Sequence, residues 1–418
     1  MPSVAPFAFD RSPWRLDPGL SYLNHGGYGA CPEPALEAQR VWRDRLEAAP
    51  TRFYQRELEG FLDESRRTMA AFLGADAEDL AFVANATTGV STVLASLRFV
   101  PGDELIATSH EYNATLNALR AAAARDGATV VIAPVPFPIR DASEVVEAIL
   151  SVVTPRTRLA LVSHVTSPTA LVFPVAAIVR ELDRRGIDTL VDGAHAPGMV
   201  PVNLAGLGAA YWTGNTHKWL CGPKSAAVLH VRADLRDRIR PLVISHAANT
   251  TRRDRTGYRL AFDWTGTSDP SAVLALPAVI RYVGGMHEDG WAGLMAANGA
   301  LARRGRDLVC GALGIGQPAP DAMLGAMAAI PLAGVRATND AALRLQEALF
   351  EEERIEVPVL AWPADAARGP GEAPLTTLVR ISAQRYNRPE EYAHLGEVLA
   401  RRGQERSPRG IVARLRRG

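Results

Sequence analysis

The chain has 418 residues, of which 47% are hydrophobic and 22% are charged, so it can bury a core large enough for two domains. Its 46 lysine and arginine residues against 45 aspartate and glutamate residues leave a net charge of +1. This balance provides no global field to attract nucleic acid or an anionic membrane. The composition therefore favours a globular enzyme with a small neutral or zwitterionic ligand.

Three widely spaced cysteines, Cys31, Cys221 and Cys310, match neither a disulfide framework nor a metal-ligand spacing. The start of the chain, "MPSVAPFAFDRSPW", lacks the charged and apolar regions of a signal peptide, and there is no apolar run of about 18 residues. We therefore predict a cytoplasmic protein that has no metal, no membrane anchor and no nucleic-acid partner.

From about Leu80 to His230, short apolar runs alternate with longer segments of helical periodicity, which is typical of parallel strands joined by crossover helices. The predicted strands are "LAFVA", "ELIATS", "ATVVIAPV", "RLALVSHV", "IDTLVD", "AAYWTG" and "AAVLHV". The predicted helices between them include "TTGVSTVLASL", "NATLNALRAAAARDG" with Gly127 as its cap, "ASEVVEAILSVV" and "VAAIVRELDRRG". Such sheets bind ligands beyond the carboxyl ends of their strands.

The pattern changes after about Pro270, where the long helical run "SAVLALPAVIRYVGGM" precedes "NDAALRLQEALFEEERIEVPVLAW" and "TLVRISAQRYN". These segments predict a smaller α+β domain with "PADAARGPGEAP" as its longest loop, followed by an Arg-rich solvated tail. We predict an N-terminal arm over residues 1–20, a large domain over 21–280 and a small C-terminal domain over 281–418. Part of the large domain, residues 21–60, is a candidate to pack with the small one.

Two residues, 26 positions apart, together meet one chemical requirement. Asp192 ends the predicted strand "IDTLVD", where a carboxylate serves as a metal ligand, a ribose contact, a partner of a protonated ring nitrogen or a helix cap. Lys218 stands in the apolar segment "TGNTHKWLCGPK", and a buried lysine has a lowered pKa and acts as a Schiff-base nucleophile. An imine-forming amine and an acid beneath a pyridine nitrogen are what pyridoxal 5'-phosphate chemistry requires.

That cofactor also needs a phosphate site, and "NATTGVSTVLASL" provides a candidate. Thr87 and Thr88 stand where a strand ends and a helix begins, so backbone N–H groups, hydroxyls and the helix dipole converge there on an anion. Threonine at a helix start is also an ordinary cap, so this signal gains weight only beside the other motifs.

In this order, the motifs resemble the aminotransferase class V family of fold-type-I pyridoxal-phosphate enzymes, and within it isopenicillin N epimerase. The resemblance runs from "YLNHGGYGACP" to "LVRISAQRYN" and rests most on "VDGAHAPG" and "TGNTHKWLCGPK" at their observed separation. It implies an α/β fold whose large domain has a mainly parallel seven-stranded sheet flanked by helices, together with a smaller α+β C-terminal domain.

The resemblance also implies roles for individual residues. Lys218 would hold the cofactor as an imine, Asp192 would pair with the pyridine nitrogen, and His195 would donate to the ring hydroxyl. The other implied cofactor contacts are Thr87, Thr88, Asn215 and His217 at the phosphate, Ser167 near the ring hydroxyl, and Tyr112 stacked on the ring. Arg380 would fork onto a substrate carboxylate, and Asn24 and His25 belong to the segment that would close over the substrate.

A homodimer is implied as well, because Gly266 and Thr267 in "FDWTGTSDP" match the segment that reaches the phosphate of the neighbouring subunit. Outside the family pattern, several of these residues have structural alternatives. The histidines and Tyr112 are compatible with core packing, Arg380 with a surface ion pair, and Thr267 with a turn.

The implied substrate is an α-amino carboxylate whose α-proton is removed by the freed Lys218. Reprotonation at the opposite face gives epimerisation, reprotonation at the cofactor gives transamination, and loss of a β-substituent gives a carbon-sulfur lyase. The resemblance places an isopenicillin N epimerase-like reaction first, with a carbon-sulfur lyase or an aminotransferase of secondary metabolism as the alternative. A non-catalytic binding module is disfavoured because Lys218 is present, and a nicotinamide enzyme because G-x-G-x-x-G is missing.

Three departures from the family pattern bear on the chemistry. A cysteine desulfurase needs a thiolate on a mobile loop, whereas Cys310 in "RRGRDLVCGALGIG" is predicted at the end of a helix. Ala170 stands where many relatives carry glycine. The arginines near Thr267 have two interpretations, a contact to an acidic substrate group or a solvated loop; they are Arg252, Arg253, Arg255 and Arg259.

Overall fold

The computed structural model describes residues 9–369, 372 and 374–405, so most of the Arg-rich tail, 406–418, and the first eight residues of the predicted arm lie outside the described residues. The described strands are β1 (Ser21–Tyr22), β2 (Leu80–Val83), β3 (Glu104–Thr108), β4 (Thr129–Ala133), β5 (Thr157–Ser163), β6 (Asp188–Asp192), β7 (Tyr211–Asn215), β8 (Ala227–Val231), β9 (Met327–Pro331), β10 (Ile355–Glu356), β11 (Val359–Trp362) and β12 (Thr376–Ser382).

Helices surround these strands and connect most of them. The α-helices are α1 (His25–Tyr28), α2 (Glu33–Ala48), α3 (Pro50–Arg52), α4 (Leu58–Leu73), α5 (Ala86–Ser96), α6 (Asn113–Asp126), α7 (Ser143–Ser151), α8 (Val175–Asp183), α9 (Leu204–Leu207), α10 (Gly257–Asp263), α11 (Ser271–Leu274), α12 (Leu276–Gly284), α13 (Gly290–Leu313), α14 (Asn339–Glu353) and α15 (Pro389–Glu405). Among the described residues, no helix combines the length and the apolar character needed to cross a membrane.

The larger sheet has seven strands in the order β2-β8-β7-β6-β5-β3-β4. Strand β8 runs antiparallel to both of its neighbours, β2 and β7. The remaining strand pairs are parallel; they are β7-β6, β6-β5, β5-β3 and β3-β4. All residues of β3, β7 and β8 are buried, which explains their nearly continuous apolar sequences. Each of the seven predicted runs overlaps one of these strands to within one residue at its ends or encloses it, so the predicted fold class is confirmed.

The crossover helices also follow their predicted segments. Helix α6 ends at Gly127, which has a φ of 74° and donates its N–H to the carbonyl of Ala123, as expected of a left-handed cap. Helix α5 begins after Asn85, whose side chain accepts a hydrogen bond from the N–H of Thr88. This cap fixes the start of α5 directly beyond the end of β2.

The C-terminal part contains a smaller antiparallel sheet of three strands in the order β11-β12-β9. The predicted single helical run at 271–286 is instead two helices, α11 and α12, because Pro277 in the first turn of α12 lacks the N–H that would continue the helix. Strand β1 pairs with β10, so the segment near residue 21 joins the C-terminal part. The domain boundaries at residues 20 and 280 stay predictions.

Candidate active site

The candidate site lies at one edge of the large sheet, where several parallel strands end. Asp192 is the last residue of β6, and Asn215 is the last residue of β7. Ser163, which ends β5, lies opposite Asp192 in the strand register. Because parallel strands bring their carboxyl ends to the same edge, residues that are far apart in the chain meet here.

Lys218 and His195 are in direct contact. The Nζ atom of Lys218 lies 3.0 Å from Nε2 of His195, and the indole N–H of Trp219 donates to Nδ1 of the same ring over 3.4 Å. Burial holds the pKa of His195 well below its usual value, so the ring is neutral. Since Nδ1 accepts from the indole, the ring proton resides on Nε2 and points to the lysine amine.

Burial shifts the pKa values of Lys218 and Asp192 in opposite directions, and both shifts favour the uncharged form of the side chain. Burial lowers the pKa of Lys218 to about 7, repulsion by Arg380 adds to this effect, and attraction by Asp192 opposes it. Burial also raises the pKa of Asp192, although the N–H of Ala194 donates to its Oδ1 atom over 3.0 Å. The site therefore holds an amine that is partly unprotonated near neutral pH, close to a buried acid.

The start of α5 is tied to the end of β7. The Oδ1 atom of Asn215 accepts from the N–H of Ala86 over 2.8 Å, while Asn85 accepts from the N–H of Thr88 over 2.8 Å. The N–H of Thr87, between them, has no acceptor among the described residues. The helix dipole and this free donor make the first turn of α5 suited to an anion.

Two further features complete this corner. The Nδ1 atom of His217 is buried and has no hydrogen-bond partner within residues 9–369, 372 and 374–405. A Cβ atom at Gly89 would lie 2.2 Å from the hydroxyl of Thr213, so only glycine lets α5 pack this closely on β7. The predicted phosphate residues are thus placed at the ends of adjoining elements.

Arg380 is a buried cation that forms no ion pair with any carboxylate of the described residues. Its Nη1 atom donates to the carbonyl of Ser167 over 2.7 Å and to the Ser167 hydroxyl over 3.1 Å, and Nη2 donates to Oδ1 of Asn24 over 3.4 Å. Its Nε atom has no partner in the described part of the chain. Burial lowers the pKa of Arg380 to about 10. Such a group is suited to bind a carboxylate ligand.

Both ring nitrogens of His25 contact other groups of the chain. Its Nδ1 atom lies 2.7 Å from the Tyr386 hydroxyl, and its Nε2 atom lies 3.0 Å from the carbonyl of Lys218. Gly29 has a φ of 70°, and a Cβ there would lie 1.9 Å from the carbonyl oxygen of His217. The segment from His25 to Gly29 therefore lies directly against the backbone that carries Lys218.

The remaining predicted site residues are more exposed. Tyr112 occupies the N-cap position of α6 and is 47% exposed. It is close enough to Arg380 to raise the pKa of that guanidinium, against the larger effect of burial. Gly266 and Thr267 are exposed on the protomer. Gly266 lines the same cavity as Thr88 and Leu242, and Thr267 lines a neighbouring one.

Three of the four arginines near Thr267 bind carboxylates of the chain itself. Arg252 pairs with Glu59 at 2.6 Å, and Arg255 pairs with Asp63 at 2.7 Å. Arg259 pairs with Glu78 at 2.6 Å and also with Asp63. Arg253 donates to the carbonyl of Arg252. The cluster thus braces α10 and the loop before it against α4, a role that neither interpretation from the sequence included.

The two buried cysteines and Ala170 can also be placed. Cys310 lies inside α13 and burial raises the pKa of its thiol to about 11, so it is not the thiolate that a desulfurase needs. Cys221 is buried beside His25. Ala170 has a φ of 59°, a left-handed conformation that glycine adopts at lower cost.

Sequence reasoning missed three residues of this region. They are Glu111, which is buried behind Tyr112, Trp219, whose indole orients His195, and Tyr386, which holds His25. All three lie inside motifs that were singled out, Glu111 in "SHEYNAT", Trp219 in "TGNTHKWLCGPK" and Tyr386 in "LVRISAQRYN". Glu111 lies three residues after the buried strand β3, and a charged residue so close to the end of a buried strand is the signal that points to it.

With the site in view, comparison with known proteins is decisive. The model of the aminotransferase class-V family matches residues 44–303. The chain belongs to this family. Its members are pyridoxal-phosphate-dependent enzymes, so the predicted family, cofactor and enzyme class are confirmed.

Individual relatives carry different activities. The chain is 34% identical over 398 residues to isopenicillin N epimerase of Amycolatopsis lactamdurans, covering 92% of this chain and 95% of that protein. It is 32% identical over 406 residues to a probable chloroplastic L-cysteine desulfhydrase of Arabidopsis thaliana, covering 92% and 83%. The solved cystine C-S lyase C-DES, in complex with cysteine persulfide, superposes with a TM-score of 0.73 at 24% identity, covering 91% of this chain and 97% of that one, which shows the shared fold.

The described residues fit pyridoxal 5'-phosphate. A lysine of lowered pKa suits its aldehyde, and the buried acid Asp192 suits its ring nitrogen. The free N–H of Thr87 at the start of α5 and the unpartnered Nδ1 atom of His217 suit an anion such as its phosphate. The geometry leaves these donors without acceptors of their own, as a site built for a ligand does.

Proposed function

We propose that the protein acts on an α-amino acid whose carboxylate binds Arg380 and whose α-proton is removed by Lys218. The observation that carries this proposal is the pairing of two buried basic groups: Arg380, which has no carboxylate partner among the described residues, and Lys218, whose pKa is lowered to about 7 by burial and further by repulsion from Arg380. When bound, pyridoxal 5'-phosphate supplies an electron sink for charge that develops at the α-carbon.

The chain's own residues orient the reactants and move the proton. Asp192 holds the proton of the ring nitrogen, and the N–H of Thr87 with the ring of His217 holds the phosphate. Arg380 fixes the substrate carboxylate, and Ser167 and Asn24 fix the guanidinium. The amine of Lys218, once released, takes the α-proton, and the N–H of His195 keeps that amine oriented.

The charges around Arg380 support a substrate that has one carboxylate. A second, distal carboxylate would need a second cation. Of the four arginines near Thr267, Arg252, Arg255 and Arg259 are bound to the chain's own acids, which leaves Arg253, itself bound to the carbonyl of Arg252. We therefore place carbon-sulfur lyase activity on a small amino acid first, as in the L-cysteine desulfhydrase relatives. For L-cysteine the balanced reaction consumes water and releases pyruvate, ammonia and hydrogen sulfide.

Epimerisation is the second candidate, and Tyr112 is the observation that favours it. Inversion at the α-carbon requires a proton donor on the face of the substrate opposite to the lysine. The phenol of Tyr112 is partly exposed, at the N-cap of α6, and interacts with Arg380. The identity of 34% to isopenicillin N epimerase agrees with this candidate.

The chain offers a clean test because it contains two lysines, Lys218 and Lys224. After reconstitution with pyridoxal 5'-phosphate and reduction with borohydride, peptide mapping should find the cofactor on Lys218 alone. Lys218→Ala should lose it, and Lys224→Arg should keep it. Attachment to Lys224, or a wild-type protein that takes up no cofactor, would contradict the proposal.

The reactions are separated by incubating the loaded protein with L-cysteine and with other amino acids in deuterated water. Pyruvate and sulfide indicate β-elimination, α-deuteration with inversion indicates epimerisation, and a keto acid without sulfide indicates transamination. Tyr112→Phe should abolish inversion and leave β-elimination within about threefold, since one donor is lost in the first case only.

We further infer a cytoplasmic homodimer in which Gly266 and Thr267 reach the neighbouring phosphate site. The support is local: Leu242, Val243 and Ile244 are each more than half exposed, and Leu242 and Val243 share a cavity with Gly266 and Thr88. The three cysteines, all free, agree with a reducing compartment. Sedimentation of wild type and of Val243→Asp should give a dimer and a monomer, respectively.

A further inference from the structure

Glu111 is a fully buried carboxyl that the proposed mechanism does not use. Its Oε1 atom accepts from the Thr108 hydroxyl over 2.7 Å and from the N–H of Ser163 over 3.1 Å. The Ser163 hydroxyl donates to Oε2 over 2.5 Å. Three donors from β3 and β5 thus converge on one side chain, which ties the ends of these neighbouring strands together.

Among the described residues, no cation lies within ion-pair distance of Glu111. The charged group that faces it is Asp192 on β6, the register partner of Ser163. His110, on the same turn, is neutral because burial lowers its pKa to about 4, and its ring contacts Thr169 and the carbonyl of Val135. Glu111 is therefore a second acid at the strand ends, adjoining the first.

The position of Glu111 in the chain connects it to the cofactor in a second way. The next residue, Tyr112, is predicted to stack on the ring, and it begins α6. By its hydrogen bonds to Ser163 and Thr108, the Glu111 side chain fixes the turn between β3 and α6 to the ends of β3 and β5. A buried carboxyl group with both oxygens engaged in hydrogen bonds is a rigid support.

We propose that Glu111 is a positioning residue whose negative charge, placed behind Asp192, strengthens the hold of that acid on the protonated ring nitrogen of the cofactor. This inference rests on the proposed function. A charge in a region of low effective dielectric acts over several ångströms, so a second carboxylate stabilises a positive ring and disfavours a neutral one. The effect requires the charge of Glu111 rather than its hydrogen bonds alone.

The ionisation of Glu111 sets the conditions of the test. Burial, with a further contribution from Asp192, raises its pKa to about 7, and the donors from Ser163 and Thr108 oppose the shift. The carboxyl is therefore mostly ionised at pH 8. A positively charged ring nearby lowers the same pKa, which adds to the ionised fraction in the loaded protein.

Glu111→Gln separates charge from hydrogen bonding. The amide oxygen can accept from Thr108 and from the N–H of Ser163, and the amide NH₂ can donate to the Ser163 hydroxyl. A matched control is Glu104→Gln at the other end of β3, where a buried carboxyl accepts from Thr154 and Arg156. Glu111→Ala removes charge and hydrogen bonds together.

The readout is the dissociation constant of pyridoxal 5'-phosphate for the apoprotein at pH 8, followed by tryptophan fluorescence. We expect a roughly threefold to tenfold weaker constant for Glu111→Gln and an unchanged one for Glu104→Gln. With a cofactor analogue in which carbon replaces the ring nitrogen, wild type and Glu111→Gln should bind alike.

Each alternative outcome has a defined meaning. Equal affinities of wild type and Glu111→Gln for the cofactor would overturn the proposal, as would the same difference with the carbon analogue. A Glu111→Gln protein that does not fold would also overturn it, because its hydrogen bonds are kept. A wild-type protein without affinity for the cofactor would instead remove the proposed function itself.

Discussion

Arg380 and Lys218 are two buried basic groups at one site, and the guanidinium adds to the effect of burial in lowering the pKa of Lys218. In the described part of the chain, neither group forms an ion pair with a carboxylate. Burial amplifies their repulsion because little water remains to screen it. A carboxylate that binds Arg380 would cancel part of this repulsion. Under the proposed function, substrate binding would therefore raise the pKa of Lys218.

The first prediction concerns the pH dependence of cofactor attachment. Because the neutral amine is the nucleophile and the pKa of Lys218 is about 7, attachment should be about tenfold slower at pH 6 than at the plateau above pH 8. Arg380→Met should move the midpoint to higher pH. Stopped-flow absorbance measures both, and a wild-type midpoint near 10 would refute the lowered pKa.

Replacement of Arg380 by lysine tests the carboxylate site. The planar guanidinium binds a carboxylate through two hydrogen bonds, and an ammonium does not reproduce them. Arg380→Lys should weaken the binding of an amino acid by about 10- to 100-fold, measured by titration of the loaded protein. Arg253→Lys, at an arginine that donates to the Arg252 carbonyl and pairs with no acid among the described residues, should leave the constant unchanged.

Lys218 should also cost stability in the apoprotein. A lysine whose folded pKa is lowered binds fewer protons than the unfolded chain, so stability is lost as the pH falls from 10.5 to about 7. Lys218→Met should therefore stabilise the apoprotein at pH 7 by about 1–3 kcal/mol in urea unfolding. Lys224→Met, at an exposed lysine, should change it little; equal gains would point to a general effect of methionine.

A buried ion pair under α10 provides a stability test away from the site. Arg66, which is 1% exposed, binds Asp263 and donates to the carbonyl of Leu80. Asp263→Asn leaves this guanidinium without its charged partner and should cost about 3 kcal/mol. The same change at Asp340, which pairs with Arg344 on the surface, should cost less than about 0.5 kcal/mol. Similar losses would mean that burial of Arg66 is not decisive.

Much of the fold was predictable because its sheet has a strong local signal. Strands β2 to β8 are short apolar runs separated by helical segments, and the rule for parallel sheets then places Asp192 and Asn215 at one edge. The break at Ala275 was missed because the apolar pattern continues through Pro277. Periodicity records which face is buried and does not record where a backbone N–H is missing.

Long-range partners were beyond sequence reasoning. His25 is held by Tyr386, and Arg252 is held by Glu59, pairs that are separated by 361 and 193 residues. No local sequence pattern predicts such contacts, because they depend on how whole helices and strands pack against each other. Thus the fold and the strand-end residues followed from the sequence, whereas the surroundings of His25, Glu111 and the arginines required the structure.

The pairing of Ser21 with Ile355 has a consequence for biosynthesis. During translation the N-terminal strand leaves the ribosome more than three hundred residues before its partner. Asn24, two positions after β1, and Arg380, in β12, can thus meet only near the end of synthesis. Strands β2 to β8, which place Asp192 and Lys218, are complete in the nascent chain well before Arg380 is made, so the contact between Arg380 and Asn24 is among the last parts of the site to form.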